Sequence, residues 1–498
     1  MGRVAVVVVG ISPPLRRPSR PLGRTKCGSS PEVGSPAVTT VPEYVAAHAD
    51  EWLSGLLDWL RIPSQSGDPA LAPQVRRSAE WLASALRAAG FPTVEVWETG
   101  GHPAVFAEWV SEDAGAPQVL VYGHHDVQPV DPLEAWTSAP YEPRVAGDKV
   151  FGRGAADDKG LVAFHLLGIR AHLAATGRTS PAVTLRVLVE GEEESGSPNF
   201  PALLRARRDR LGCDVVVVSD TGMWGRETPS VVTSMRGLIS CQLDLVARDV
   251  DLHSGSYGGA VHNAVTELTK LLASLHDADR RVTVPGFYDG IVEPSPEERA
   301  LIARLPFDEA DWLSVAHSVE GVGEAGWSTL ERVWARPTAE VNGVWGGYTG
   351  PGTKTIIPRE AHAKLSFRLV AGQDPVHVKS VVEAWLGSAV PAALRWSVEW
   401  EGDGVRPCAT PLDAPALAAV REAMGRAFGQ EVLVTREGGS GPEADLQDIL
   451  EAPVVFLGTA LPDSGWHAPD ENADVPMLLK GAEAAAYLWE ILPGALKS

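Results

Sequence analysis

The chain switches repeatedly between two hydrophobic periods. Over residues 43–61 the apolar positions Tyr44, Val45, Trp52, Leu53, Leu56, Leu57 and Leu60 recur at helical spacing. Residues 75–89 repeat that pattern until Gly90 stops it. Short β-rich runs follow at 93–97, 104–109 and 118–122. Residues 161–175 read as a helix, and 182–190 and 214–219 as buried strands. Strands alternating with helices predict an α/β sheet with helices on both faces.

From residue 229 the character changes. Residues 231–247 form one long strand-like stretch, 261–275 an amphipathic helix, and 283–338 a variable segment with its own helical patches. Residues 361–370 and 394–400 alternate like half-buried strands around a helix at 376–386. A strand-helix-strand-strand-helix-strand order predicts a smaller α+β ferredoxin-like domain. From residue 413 the α/β pattern resumes, with a helix through Phe428 and strands at 432–435 and 454–457. The expected organisation is a sheet domain in two parts, 41–228 and 405–498, interrupted by the insert at 229–404. No internal repeat is visible.

At 498 residues the chain has room for two or three domains. A formal net charge of −21 repels phosphate backbones and argues against nucleic acid as a partner. Cys27, Cys213, Cys241 and Cys408 are scattered without metal-type spacing, which fits a reducing, cytoplasmic setting better than a disulfide framework. Residues 4–11 are an apolar run far short of the roughly 20 residues that span a bilayer. A Pro/Arg/Ser/Gly-rich stretch follows it, so residues 1–40 read as a disordered extension or a misassigned start, with a secretory signal peptide the alternative. No later segment resembles a membrane span, so no membrane association is expected.

Three chemically suggestive strings begin where apolar strands end. Residues 119–122 lead into Gly123-His124-His125-Asp126-Val127-Gln128-Pro129, 187–189 into Glu190-Gly191-Glu192-Glu193-Glu194-Ser195-Gly196, and 215–218 into Ser219-Asp220. Open α/β sheets place their ligand crevice at these carboxyl ends. Two further strings are Gly152-Arg153-Gly154-Ala155-Ala156-Asp157-Asp158-Lys159-Gly160 and Gly465-Trp466-His467.

His124 and Asp126 stand two apart, so on an extended segment both side chains point the same way. A metal-bound imidazole commonly donates its other nitrogen to a carboxylate, and Asp126 suits that role. One carboxylate of the Asp157–Asp158 pair can bridge two cations, while Asp158 sits where it would cap the helix that follows. Glu192, Glu193 and Glu194 allow one acid to ligate while a neighbour takes a proton from metal-activated water. Asp220 follows four valines, where an ionised carboxylate calls for a partner. Two imidazoles with several carboxylates form a mixed N/O shell suited to Zn²⁺, Mn²⁺ or Co²⁺.

Together these strings resemble the M20 family of metallopeptidases, most closely its dipeptidase branch of cytosolic nonspecific dipeptidases and carnosinases. The similarity runs from about residue 42 to the C-terminus. The resemblance implies two divalent cations per subunit, with zinc the first choice. His124 and Asp220 would hold one, Glu194 and His467 the other, and Asp157 would bridge. It makes Glu193 the general base, Asp126 the carboxylate behind His124, and the Asp157–Asp158 peptide cis. Within the insert, Asp251-Leu252-His253-Ser254-Gly255 resembles the string whose histidine reaches the active site of a neighbouring subunit. That implies a homodimer joined through a lid domain, with His253 stabilising an oxyanion. Thr355, Arg368 and Ser440 resemble the clamp for a substrate carboxylate. His125 and Glu192 depart from the pattern, where Tyr and Met are usual.

The resulting expectation is hydrolysis of dipeptides or short peptides. An N-acyl-amino-acid deacylase or a metallocarboxypeptidase of the same family is the alternative. A serine hydrolase using Ser440 is a poor match, because Pro442 replaces the last glycine of Gly-x-Ser-x-Gly.

Overall fold

The computed structural model describes residues 39–497, so the extension expected at 1–40 lies almost wholly outside the described residues. The first helix, Val41–Leu60, starts on a capping box: Glu43 N–H donates to Thr40 Oγ1, and Thr40 N–H donates to Glu43 Oε2. The second, Ala72–Ala89, ends at Gly90 in the left-handed region, at φ 110°. A Cβ there would lie 2.8 Å from the Trp109 ring, so glycine is required twice over.

A six-stranded sheet organises the larger part of the molecule. Its order is Thr93–Trp97, Ala104–Trp109, Thr184–Glu190, Gln118–His124, Val215–Val218, Val454–Phe456. The first two pairings are antiparallel and the last three parallel. Along Gln118–His124, Val119 and Val121 enter one core cluster, while Leu120 and Tyr122 enter another on the opposite face. Near-continuous apolar runs such as Val215–Val218 follow from burial on both faces. Helices Lys159–Thr176 and Val475–Ala495 belong to the first cluster, Phe200–Ala206 and Glu443–Leu450 to the second.

A separate four-stranded antiparallel sheet runs Thr338–Gly346, Glu360–Leu369, Gly237–Val246, Arg395–Trp400. With helices Ala264–Ala273 and Pro375–Ala389, the chain order is strand, helix, strand, strand, helix, strand. Ile239, Leu243, Leu268, Phe367 and Val382 help form its own apolar core. Short helices Pro296–Ile302, Glu309–Val315 and Thr329–Ala335 occupy the variable segment.

Several details differ from the sequence reading. The stretch 231–247 is two strands, Ser230–Met235 and Gly237–Val246, in different sheets. Arg236 separates them, its N–H donating to Gly439 O and its carbonyl accepting from Ser440 Oγ. Ser230–Met235 pairs instead with Leu433–Glu437 and Cys408–Ala409, so Leu433–Glu437 does not join the large sheet. A further small sheet joins Arg144–Ala146, Lys149–Phe151 and Asn472–Asp474, strands too short to carry a readable period. Among the described residues no helix is long and apolar enough to cross a membrane.

Candidate metal centre

Five chain segments converge at the carboxyl end of the six-stranded sheet. His124 is the last residue of its strand, Glu193 and Glu194 form the turn after Thr184–Glu190, and Asp220 follows Val215–Val218. Asp157 comes from the loop before helix Lys159–Thr176, and His467 from the loop before Asn472–Asp474. The two carboxylate oxygens of Asp157 face different imidazoles. Oδ1 lies 2.9 Å from His124 Nε2 and Oδ2 lies 2.9 Å from His467 Nε2. Asp220 Oδ2 is 3.5 Å from His124 Nε2, and Glu194 Oε2 is 3.4 Å from His467 Nε2. Each imidazole therefore shares Asp157 and has a further carboxylate of its own. Ligand-type atoms of His124, Asp157 and Glu194 lie within 4.8 Å of one another, as do those of His124, Glu193 and Asp220.

The surroundings hold these groups in place. Asp126 Oδ1 lies 3.4 Å from His124 Nδ1, and its Oδ2 accepts the backbone N–H of Glu194 at 3.1 Å. The Asp157–Asp158 peptide is cis, in line with the resemblance. Asp158 occupies the N-cap position but its side chain caps nothing; its Oδ2 accepts the His124 N–H at 3.0 Å instead. That contact needs Gly123, since a Cβ there would sit 2.5 Å from the same oxygen. Below the Glu193 turn, Tyr122 OH and Ser197 Oγ both donate to the buried Glu190 carboxylate, at 2.8 and 3.0 Å.

Electrostatically the site holds too much negative charge for its depth. Burial drives the Glu193 carboxyl well above its usual range, with Asp220, Glu194 and Asp157 adding to the rise. Burial, then Asp157, pushes Glu194 to about 8, and the same two causes raise Asp220. For Asp157, burial acts upward but is outweighed by the bonds to His124 and His467, which hold it below the carboxylate range. For His124, burial acts downward and is outweighed by Asp126, Asp157 and Asp220, which keep its ring protonated well above the usual value. Asp220 Oδ1 is buried without a hydrogen-bond partner. Two imidazoles, a carboxylate facing both, and further carboxylates fit a pair of divalent cations with mixed N/O preference.

The remaining expected residues lie in two places, Arg368 bonded to Ser440 and His253 on a segment beside Thr355. Arg368 Nη1 donates to Ser440 Oγ at 2.9 Å. His253 pairs with Ile356 across a short ladder, and Ser254 N–H donates to Thr355 O at 3.0 Å. Among the described residues neither group forms a hydrogen bond or ion pair with the carboxylate–histidine cluster. Sequence reading passed over Glu471, Gln128, Tyr122 and Glu190 as contributors. Only their positions in the fold reveal them, although Gln128 and Glu190 stand inside the quoted strings.

Relatives of this chain are peptidases. The Beta-Ala-His dipeptidase of Rattus norvegicus is 27% identical over 472 residues, covering 90% of this chain and 94% of its own. The Cys-Gly metallodipeptidase dug1 of Schizosaccharomyces pombe is 28% identical over 466 residues, covering 90% and 97%. Among solved structures, the M20 family metallo-carboxypeptidase Sso-CP2 of Sulfolobus solfataricus superposes with a TM-score of 0.76 at 30% identity, covering 89% of this chain and 99% of that one. The sequence profile of peptidase family M20/M25/M40 matches residues 120–491, a span holding every residue of the cluster from His124 to His467, and the chain belongs to that family.

Proposed function

We propose that the protein is a dinuclear metallodipeptidase, hydrolysing the peptide bond of dipeptides or short peptides. The observation that carries this reading is Asp157, whose two oxygens each lie 2.9 Å from a different imidazole. His124, Asp220 and Asp157 would hold one cation and His467, Glu194 and Asp157 the other, with zinc the first choice and manganese or cobalt compatible. Bound there, two cations supply Lewis acidity toward the substrate carbonyl and toward a water. Glu193 takes the proton from the attacking water and returns it to the leaving amine, a role that its place beside His124 and Asp220 supports. Asp126 orients His124 from behind.

Arg368 and Ser440, already bonded to each other, and Thr355 would clamp the free carboxylate of the substrate. His253 would stabilise the oxyanion from the neighbouring subunit, making residues 229–404 a lid and dimerisation domain within a homodimer. The free thiols of Cys213, Cys241 and Cys408 support a cytoplasmic setting. The likeness to Sso-CP2 favours a carboxypeptidase as the second reading, and the shared centre also suits an N-acyl-amino-acid deacylase. A panel of dipeptides, longer peptides and N-acyl amino acids, assayed with each cation restored to stripped protein, separates them. The dipeptidase reading expects the highest kcat/KM on dipeptides; preference for N-acyl amino acids or longer peptides would replace it.

A further inference from the structure

Behind the centre lies a buried ion pair that touches no candidate ligand side chain. Arg153 is 1% exposed and Glu471 fully buried, and Arg153 Nη1 donates to Glu471 Oε2 at 2.8 Å. The Glu471 carboxylate also accepts the backbone N–H groups of Gly154, Ala156 and Asp157, the last two at 2.9 and 3.0 Å on Oε1. One carboxylate thus gathers the loop that presents Asp157. The other terminal guanidinium nitrogen, Arg153 Nη2, donates to Pro129 O at 2.9 Å and to His467 O at 3.2 Å. The Trp136 ring lies 5.2 Å from the guanidinium carbon. His467 needs such an anchor: its side chain is 57% exposed and its backbone sits at φ 59°.

Resting on the dinuclear reading, we propose that Arg153 and Glu471 are positioning residues that set two of the second cation's ligands, the bridging Asp157 and His467. Glu471 fixes Asp157 through its backbone, and Arg153 fixes His467 through its carbonyl. The two halves of the pair therefore have different consequences. Glu471 acts on the bridging carboxylate and so on both cations. Arg153 acts directly on His467 and reaches Asp157 only through Glu471, so its weight falls mainly on one. A carboxylate is suited to the first task because it accepts on both oxygens, whereas an amide would set a donor against one of the loop N–H groups. A guanidinium is suited to the second because it reaches two carbonyls and a carboxylate at once, which a lysine ammonium on a single stem does not.

The test is a Co²⁺ titration of the metal-stripped full-length chain, followed by calorimetry and by the visible absorption of bound cobalt. Wild type should bind two ions. Arg153→Lys should weaken one of them by roughly 10- to 100-fold, the usual effect of losing a partner behind a ligand, and change the other affinity and its spectrum less; equal weakening of both would contradict the division of roles. Glu471→Gln should weaken both. Thermal melts of each stripped variant report folding separately, and Arg153→Lys carries the test if Glu471→Gln does not fold. A folded Arg153→Lys protein with both affinities and both spectra as in wild type overturns the inference, even if its melting temperature falls. A wild-type chain that binds fewer than two ions contradicts the dinuclear reading itself, so the two failures are told apart.

Discussion

Gln128 holds Glu194 from two directions. Its backbone N–H donates to Glu194 Oε1 at 3.1 Å, and its side-chain amide donates to Oε2 at 2.6 Å. Glu194 is thereby aimed at His467, while the adjacent Glu193 faces His124 and Asp220. Consecutive glutamates on a tight turn diverge, and the proposed function gives one of them to a cation and the other to the attacking water.

Glu193→Gln should accordingly lower turnover by roughly 10²- to 10⁴-fold, the range for a general base, with the cation content of wild type. His124→Ala and Asp157→Ala should instead lose bound metal, Asp157→Ala more completely because it serves both positions. Metal analysis of dialysed variants beside steady-state kinetics distinguishes the two classes. An empty centre in Glu193→Gln would exchange the roles of the two glutamates.

Much of this site was legible in the chain. His124, Glu194 and Asp220 follow apolar strands, and a strand end at a parallel sheet is a readable address. The Arg153–Glu471 pair was not legible, because Glu471 acquires its meaning only when Asn472–Asp474 pairs with Lys149–Phe151, two three-residue strands. Asp158 was misread for a related reason. A local rule assigned it to the helix beginning at Lys159, whereas the approach of Gly123 offered it the His124 N–H. The strand Thr338–Gly346 was hidden by the irregular segment before it and by a shift in pairing between Val341 and Gly343.

Acid should destabilise the protein partly through His165. Its ring is buried, with Nε2 2.5 Å from Ser219 Oγ, and burial lowers its pKa from 6.5 to about 3. The folded state keeps the ring neutral, while the unfolded chain takes up a proton as pH falls through 6.5. This contribution is complete above pH 6.5 and is lost progressively toward pH 3. His165→Gln removes the titration. Urea unfolding at pH 7 and pH 4 should then show a smaller loss of stability in the variant, by about 2–3 kcal/mol. Equal losses in the two proteins would mean that His165 is not held neutral.

The subunit arrangement has a counting test. His253→Ala and Glu193→Gln subunits, each inactive alone, are mixed and allowed to exchange. A mixed dimer joins an intact Glu193 and an intact His253 in one of its two sites if His253 acts across the interface. Random exchange should restore up to about a quarter of wild-type activity. No recovery after exchange is demonstrated would place His253 in its own subunit's site or outside catalysis.

Peptide hydrolysis by this protein should depend on two cations flanking Asp157. The most direct test is to strip the full-length protein of metal, add Zn²⁺ in fractions of an equivalent, and follow dipeptide hydrolysis and bound zinc together. Turnover should be absent at the start and reach its plateau as bound zinc reaches two ions per chain. Full turnover in the stripped protein, or a plateau with a single bound ion, would contradict that dependence.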